Sequence, residues 1–369
     1  MPPALPPSPA ADVFAVDAGR LSDWVGRLFA AAGCSGAEAE AIAASLVLSN
    51  LYGHDSHGVA LVPMYLDDLR NGFAVPGVAV RIERDQGALL TLDGGRGFGQ
   101  TVGRQAMALA IERARQHGCA VVGLHDAHHL ARIGEWAEQC AAAGMASVHF
   151  VNVLSAPVVA PWGGTDARLV TNPFCVGVPR EPHPLILDYA TSAIAVGKVR
   201  VARAKGVAVP PGALIDAAGA PTTDPAALFA EPPGALLPFA QHKGYALAVM
   251  CEVLGGVLSF GRVQDGRRNG GVFNNMLSIV LDADRLRGRA EREAQIAALE
   301  RWVKASPAAD PSAPVRLPGE PERAAERERR QHGIPIPTAT AAALRAEAQR
   351  LGIVGHPFDT ARASAPIDR

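Results

Sequence analysis

The stretch ALLTLDGGRGFGQTVGRQAMALAIERARQHGCAVVGL, residues 88–124, contains two apolar runs separated by a long amphipathic segment. The runs at 88–93 and 119–124 have the length and apolar character of strands, and the segment at 102–118 has helical periodicity. Further strand-like runs follow at 146–153, 184–190 and 276–282. This alternation of strands and helices predicts an α/β fold class.

The glycine-rich turn between the first strand and the helix is close to a dinucleotide-binding loop but does not match it. Gly97, Gly99 and Gly103 are spaced G-x-G-x-x-x-G, which has one residue more than the fingerprint G-x-G-x-x-G. Arg96 and Phe98 would also crowd a pyrophosphate that approached the backbone closely. A tight turn with close helix packing is therefore the better prediction.

The segments on either side of this region are predicted to be helical. Residues 21–51 have the pattern of two amphipathic helices, and Ser35 and Glu38 form an S-x-x-E capping box for the second. The apolar segment 242–259 predicts a long helix that is buried on most sides. Residues 283–331 are rich in Arg and Glu and predict a solvated helical surface.

Composition argues against several classes of partner. The 369 residues include 35 basic and 36 acidic side chains, so the net charge of −1 does not favour nucleic acid. No apolar run reaches the roughly 18–20 residues that span a bilayer, so no membrane partner is expected. The start, MPPALPPSPAAD, does not resemble a signal peptide, and a disordered tail is expected over 1–18. The five scattered cysteines, without a C-x-x-C pair, indicate reduced thiols and a cytoplasmic protein.

Five of the eleven histidines lie in two short patches, GHDSHG at 53–58 and HDAHH at 125–129. Their H-x-x-H spacings suit zinc ligands, which would make the protein a hydrolase. The glycines on either side of the first patch do not support a helical ligand arrangement, so no metal is expected. The imidazoles also suit acid/base catalysis near neutral pH. A structural role in loops is the third alternative, and it is favoured for His54, His125 and His128 individually.

Acid/base catalysis has further support from neighbouring residues. His129 stands just before a predicted helix, whose positive end would keep the ring neutral, and Arg132 one turn later suits a phosphate or carboxylate. His57 has a hydroxyl beside it in Ser56. Asp188 ends an apolar strand, where α/β proteins place functional groups. The chain lacks the G-x-S-x-G elbow of a nucleophilic serine, so acyl transfer is not expected.

Seven motifs extend this pattern over much of the chain. They are SNLYGHDSHG, DGGRGFGQTVGRQAM, HDAHHLARIGEWAEQCAAAGM, APWGGTDARLVTNPFCVGVP, LDYATSAIAVGKVRVA, FAQHKGYALAVMCEVLGGVLS and LPGEPE, in this order. Together they resemble the type-2 malate/L-lactate dehydrogenase family across residues 20–355.

The resemblance implies a non-Rossmann α/β (α+β) fold. Its helical domain would consist of residues 19–85 together with about 285–369, and a mixed-sheet NAD(P)-binding domain would occupy 86–284. It also implies a homodimer that interconverts 2-oxo and 2-hydroxy acids with NAD or NADP. Phenylpyruvate, hydroxyphenylpyruvate, pyruvate and oxaloacetate are candidate substrates. A sensor that binds the cofactor without turnover is the non-enzymatic alternative.

The resemblance also implies roles for individual residues. Ser56 and His57 of the D-S-H-G motif, His129 and Asp188 would form the catalytic group, with His57 or His129 transferring the proton. The cofactor would contact His57, Ala131, Arg132, Ile133, Ile186, Leu187, Asp188, Tyr189, Ala190, His242, Lys243, Asn274, Gly319, Glu320, Pro321 and Glu322. Of these, Lys243 and Arg132 are the natural phosphate partners by charge.

The chain departs from the family pattern at one position. Many members place an arginine five residues after the serine of D-S-H-G, where it binds the substrate carboxylate, but this chain has Leu61 there. The loss of a bidentate carboxylate ligand suits a more apolar substrate.

Overall fold

A seven-stranded mixed sheet and a helical layer make up most of the structure, a computed structural model that describes residues 13–267, 270–286 and 288–358. The strands are β1 (Val13–Val16), β2 (Arg81–Gln86), β3 (Leu89–Asp93), β4 (Cys119–His128), β5 (Met145–Leu154), β6 (Phe174–Val178), β7 (Leu185–Tyr189), β8 (Leu214–Ile215), β9 (Pro221–Thr222), β10 (Ala235–Leu236), β11 (Phe273–Asp282) and β12 (Ile334–Pro337). The helices are α1 (Ala18–Ala31), α2 (Gly36–Leu51), α3 (Val62–Arg70), α4 (Gly99–His117), α5 (Gly134–Ala142), α6 (Val196–Lys205), α7 (His242–Cys251), α8 (Ala283–Leu286), α9 (Arg289–Lys304), α10 (Glu320–His332) and α11 (Thr338–Arg350).

The strand order of the large sheet is β2-β3-β4-β11-β5-β6-β7. β3 and β4 are parallel and are joined by α4, as the strand–helix–strand pattern predicts. The other neighbouring pairs are antiparallel, including both pairs that β11 makes with β4 and β5. A Rossmann domain has a mostly parallel sheet. The prediction of a non-Rossmann α/β fold with a mixed sheet is therefore confirmed.

The helical layer is closed by both ends of the described chain. β1 pairs antiparallel with β12, which places α11 beside α3 and in one core with α1 and α2. Their apolar faces form one core that includes Leu28, Leu46 and Leu344. The expectation of a disordered tail over 1–18 is wrong for Val13 onward, because this strand pairing orders the backbone. Residues 1–12 and 359–369 lie outside the described residues. The predicted sheet domain begins at residue 86, but β2, which begins at Arg81, already belongs to the large sheet.

The capping box at the start of α2 is half formed. Ser35 Oγ accepts a hydrogen bond of 3.3 Å from the Glu38 N–H, as the motif predicts. Glu38 Oε2 accepts instead from the Gly77 N–H at 2.9 Å, so its carboxylate holds the loop after α3. A contact distant in sequence has therefore replaced the second, local bond of the box.

The apolar segment 242–259 is neither one regular helix nor buried on most sides, so this prediction is wrong. α7 is followed by a π-helical turn at Glu252–Gly256 and a 3₁₀ turn at Val257–Ser259. Gly255 lies so close to β5 that a Cβ there would be 2.7 Å from the Phe150 carbonyl oxygen. Five large apolar side chains are exposed along this segment: Met250, Val253, Val257, Leu258 and Phe260.

In the described part of the chain no helix combines the length and apolar character of a membrane span.

Candidate active site

The glycines between β3 and α4 allow close packing, as predicted. A Cβ at Gly99 would lie 2.2 Å from the His129 carbonyl oxygen, and one at Gly103 would lie 2.8 Å from the Trp136 ring. Their space is thus filled by the loop after β4 and by α5. The glycine pattern therefore positions the loop that carries His129.

One histidine from each patch meets at the boundary between the helical layer and the sheet. His57 ends the 3₁₀ turn that follows α2, and His129 follows the last residue of β4. Their rings are stacked, with centroids 5.8 Å apart and an angle of 22° between the planes. Ser56 Oγ lies 3.0 Å from His57 Nδ1, so the neighbouring hydroxyl orients this imidazole.

The other three histidines of the patches each contact a carboxylate, which agrees with a structural role. The contacts are His54 to Glu322 at 3.3 Å, His125 to Glu83 and Asp126 at 3.0 and 3.1 Å, and His128 to Asp68 at 2.9 Å. Both ring nitrogens of His125, and Nε2 of His54 and of His128, are therefore already in use.

The two patches do not converge on a set of metal ligands. Among the described residues, the one group of three potential ligands whose atoms lie within 4.8 Å of one another is Asp93, His125 and Asp126. This group contains neither His57 nor His129. The second patch contributes His125 and Asp126 to this group, but the first patch contributes no ligand, so the two patches do not form the shared zinc site of the hydrolase alternative.

Two buried residues that sequence reasoning missed determine the tautomer of His129. Gln100 Nε2 donates a hydrogen bond of 3.1 Å to the Tyr65 hydroxyl oxygen, and Tyr65 in turn lies 2.8 Å from His129 Nδ1. Gln100 Nε2 can only donate, so His129 Nδ1 is the one acceptor found among the described residues for the proton of the buried Tyr65 hydroxyl. Nδ1 then accepts, and a neutral His129 carries its proton on Nε2. In sequence, Tyr65 has the spacing of an ordinary core residue, so no signal marks it.

Both imidazoles of the pair are neutral at physiological pH. Burial lowers the pKa of His129 well below its usual value, and the imidazoles of His57 and His128 lower it further. Burial also lowers the pKa of His57 to about 4, although the Asp188 carboxylate acts in the opposite direction. The predicted helix dipole is not the cause, because α5 begins only at Gly134. Of the two rings, His57 is the one with an acidic group that favours its charged form.

Asp188 acts on His57 through its charge. Its Oδ2 accepts a hydrogen bond of 2.7 Å from the Gly134 N–H at the start of α5. None of the hydrogen bonds found within the described ranges joins Asp188 to His57 or His129. We expected Asp188 to orient an imidazole ring through a hydrogen bond. Instead, its carboxylate acts on His57 only through its negative charge.

A cavity of about 650 Å³ is lined by residues whose charges act on His57, among them Asp188 and Arg132, and it gathers part of the predicted cofactor set. Of the predicted residues, it is lined by Arg132, Ile186, Asp188, Gly319 and Glu322. α9 and α10 contain no buried residue, as the prediction of a solvated surface requires, but both contribute to this lining.

Arg132 is a buried residue of the cavity wall. Its Nη2 donates a hydrogen bond of 2.6 Å to Glu138, and its guanidinium lies 4.7 Å from the centre of the Tyr52 ring. Burial alone would lower the pKa of Arg132, but Glu138 keeps it above its usual range. The charge of this arginine is thus largely matched within the protein.

The remaining predicted cofactor residues do not line the cavity among the described residues. They are His57, Ala131, Ile133, Leu187, Tyr189, Ala190, His242, Lys243, Asn274, Glu320 and Pro321. Leu187 and Tyr189 alternate with Ile186 and Asp188 along β7 and so point to its other face. Asn274 accepts from the Leu130 N–H at 2.8 Å and thereby holds the loop after β4.

Tyr65→Phe is expected to lower turnover about 3- to 10-fold, because one hydrogen bond that orients His129 is lost. Phenylalanine keeps the ring packing, so the fold and cofactor affinity should persist. Selective ¹⁵N labelling of histidine would follow the tautomer by NMR. We expect the population protonated at His129 Nδ1 to rise in the variant. Unchanged turnover with an unchanged tautomer would show that Tyr65 has only a packing role.

Comparison with known proteins places this architecture in a family. The family model described as malate/L-lactate dehydrogenase matches residues 16–345. Hydroxycarboxylate dehydrogenase B of Escherichia coli (strain K12) is 48% identical over 342 residues, which cover 91% of this chain and 94% of that protein. L-lactate dehydrogenase of Cupriavidus necator is 44% identical over 291 residues, covering 78% and 83%.

A solved structure gives the same result. An E. coli protein described as a malate/lactate dehydrogenase superimposes with a TM-score of 0.88 and 47% identity, covering 92% of this chain and 96% of that one. With a family model that spans most of the chain and relatives this similar, the assignment follows directly. The chain is an oxidoreductase that belongs to the malate/L-lactate dehydrogenase family.

Proposed function

We propose that the protein is a nicotinamide-dependent dehydrogenase that interconverts 2-oxo and 2-hydroxy acids. The observation that supports this most directly is the stacked pair of His57 and His129 beside Asp188 and a large cavity. A neutral imidazole is a suitable base for a hydroxyl group, and its protonated form is a suitable acid for a carbonyl oxygen. Family membership makes a small hydroxy acid the natural substrate class.

In the proposed mechanism the two histidines have different roles. The bound reduced cofactor supplies hydride to the carbonyl carbon of the 2-oxo acid. His57 transfers a proton to the carbonyl oxygen, and Ser56 orients its ring. Asp188 favours the imidazolium form, as does the negative charge of a bound substrate. The Nε2–H of His129, fixed by Tyr65, donates a hydrogen bond to the same oxygen as negative charge develops there.

The cavity fits a cofactor of this class. Its volume of about 650 Å³ lies within the range of small-molecule sites. In our proposal Arg132, Ile186, Asp188, Gly319 and Glu322 contact the cofactor, which is NAD or NADP. The predicted residues that do not line this cavity remain candidates for the other walls of the site.

Leu61 supports an apolar preference in the substrate. It is half-buried and packs against the core of the helical layer, at the position where many family members have an arginine. Arg132 is paired with Glu138 and is a poor replacement for that arginine. We therefore place phenylpyruvate and hydroxyphenylpyruvate ahead of pyruvate and oxaloacetate among the candidate substrates.

An absorbance assay of nicotinamide oxidation tests the proposal. Metal-analysed protein is mixed with NADH or NADPH and each of phenylpyruvate, hydroxyphenylpyruvate, pyruvate and oxaloacetate. We expect turnover, with the highest kcat/KM for the aromatic acids. Cofactor binding without turnover of any substrate would favour the sensor. Stoichiometric zinc without cofactor binding would favour the hydrolase.

We also propose that the protein is a cytoplasmic homodimer. All five cysteines are free, and four of them are buried, which suits a reducing compartment. The exposed apolar side chains of the 250–260 segment, including Val257 and Leu258, form the candidate interface.

A charge placed in this interface is expected to separate the subunits. Leu258→Glu should convert a dimer to monomers in sedimentation velocity, because a carboxylate would be buried without a partner. Val354→Glu is the matched control, since Val354 is 90% exposed and lies outside the segment. A dimer that survives Leu258→Glu would locate the interface elsewhere.

A further inference from the structure

Among the described residues six arginines line the cavity, and four of them have carboxylate partners. Arg132 pairs with Glu138, Arg180 with Glu300, Arg289 with Asp284, and Arg292 with Asp284 and Glu293. The other two are Arg323 and Arg327, both on α10. Within the described ranges, neither has a carboxylate at ion-pair distance.

Three of the four acidic residues of the same helix contact other basic side chains, and the fourth, Glu328, is in none of the ion pairs found among the described residues. Glu322 contacts His54 at 3.3 Å, and Glu326 pairs with Arg330 at 2.8 Å. Glu320, at the start of the helix, pairs with Lys304 at 2.5 Å. The positive charge of Arg323 and Arg327 is therefore not matched by a direct carboxylate partner in the part of the chain that the structure describes.

The two guanidiniums face the cavity together. Residues 323 and 327 are four apart, which places them on one face of α10. Arg323 Nη1 donates a hydrogen bond of 3.3 Å to the Pro184 carbonyl oxygen, just before β7. A Cβ at Gly319 would lie 2.8 Å from the same nitrogen, so the missing side chain leaves the space that Arg323 uses.

The distance along β7 between the reacting centre and Arg323 determines how long a ligand must be to contact this arginine. Pro184 and Asp188 are four residues apart on an extended strand, or about 13 Å. A 2-oxo acid that reacts beside Asp188 and His57 cannot reach Arg323, whereas a dinucleotide can. The planar guanidinium group of arginine is well suited to phosphate, which it binds through two parallel charge-assisted hydrogen bonds.

We propose that Arg323 and Arg327 form a phosphate site for the dinucleotide at the end of the cavity away from the histidine pair. This inference rests on the proposed function. It replaces Arg132 and Lys243 as the expected phosphate partners, because Arg132 is paired with Glu138 and Lys243 does not line the cavity. The phosphate has two possible sources: the pyrophosphate that NAD and NADP share, or the 2′-phosphate that only NADP carries.

Binding measurements on single variants test the site. We would measure dissociation constants by calorimetry for NADH, NADPH, ADP-ribose and 2′-phospho-ADP-ribose with the full-length wild type, Arg323→Gln and Arg327→Gln. Arg327 is exposed, so its replacement should leave the fold intact. Arg301→Gln is the matched control, because Arg301 is an exposed arginine of α9 that does not line the cavity.

Each variant should weaken phosphate binding roughly 10- to 100-fold, while the control should not. A loss confined to NADPH and 2′-phospho-ADP-ribose would assign the site to the 2′-phosphate. An equal loss for all four ligands would assign it to the pyrophosphate. If the wild type binds a cofactor and both variants bind all four ligands equally well, the phosphate site is overturned and the proposed function stands. A wild type that binds neither NADH nor NADPH would overturn the proposed function.

Discussion

His57→Ala should lower kcat by ~10²–10⁴-fold while leaving the dissociation constant of the cofactor nearly unchanged. The variant loses the imidazole that exchanges a proton with the substrate oxygen, but no residue of the cavity lining. Single-turnover and equilibrium binding measurements would separate the two effects. His125→Ala is the control from the second patch, because its ring is bound to Glu83 and Asp126. Comparable turnover in His57→Ala and wild type would remove His57 from proton transfer.

The same assignment predicts the pH dependence in both directions. For oxidation of the hydroxy acid, His57 must be neutral, and kcat/KM should be constant near neutral pH and fall only below its pKa of about 4. For reduction of the oxo acid, the ring must be protonated, so kcat/KM should decrease as the pH rises above that value. A pH profile for oxidation that already falls near pH 6.5 would mean that burial does not control this imidazole.

Gly99→Ala should impair stability and turnover together. A Cβ at this position would lie 2.2 Å from the His129 carbonyl oxygen and 2.5 Å from the Leu130 Cα, both backbone atoms. The backbone of that loop must therefore move, at a cost of about 1–3 kcal/mol or more. Since His129 and Leu130 belong to the loop that orients the catalytic pair, turnover should fall as well. Thermal unfolding and kcat measured on the same preparation would check both effects.

Gly36→Ala provides a matched comparison. Gly36 is likewise the first residue of a helix, but nothing lies within 4 Å of the Cβ that alanine would add. This variant should retain full activity and equal or slightly higher stability, because alanine loses less conformational freedom than glycine. If Gly99→Ala behaved in the same way, the close packing of α4 against the His129 loop would be unimportant for the site.

Local features of the protein could be predicted from sequence because their causes lie within a few residues. The periodicity of 88–124 predicted β3, α4 and β4, and Ser35 marked the start of α2. The same local reasoning failed at Glu38, whose carboxylate contacts Gly77, and over 242–259, where contact with β5 changes the helix. In both cases a partner far along the chain determined the local structure.

The sequence by itself determined the α/β class, the positions of most helices and strands, and which histidines were candidates. Only the tertiary structure placed β11 between β4 and β5, stacked His57 on His129, and linked Gln100 through Tyr65 to the His129 ring. It alone showed that Arg132 has a carboxylate partner, whereas Arg323 and Arg327 have none among the described residues. Periodicity and capping motifs reflect the conformational preference of a single segment. The contacts named above depend instead on how segments that are distant in sequence pack against one another.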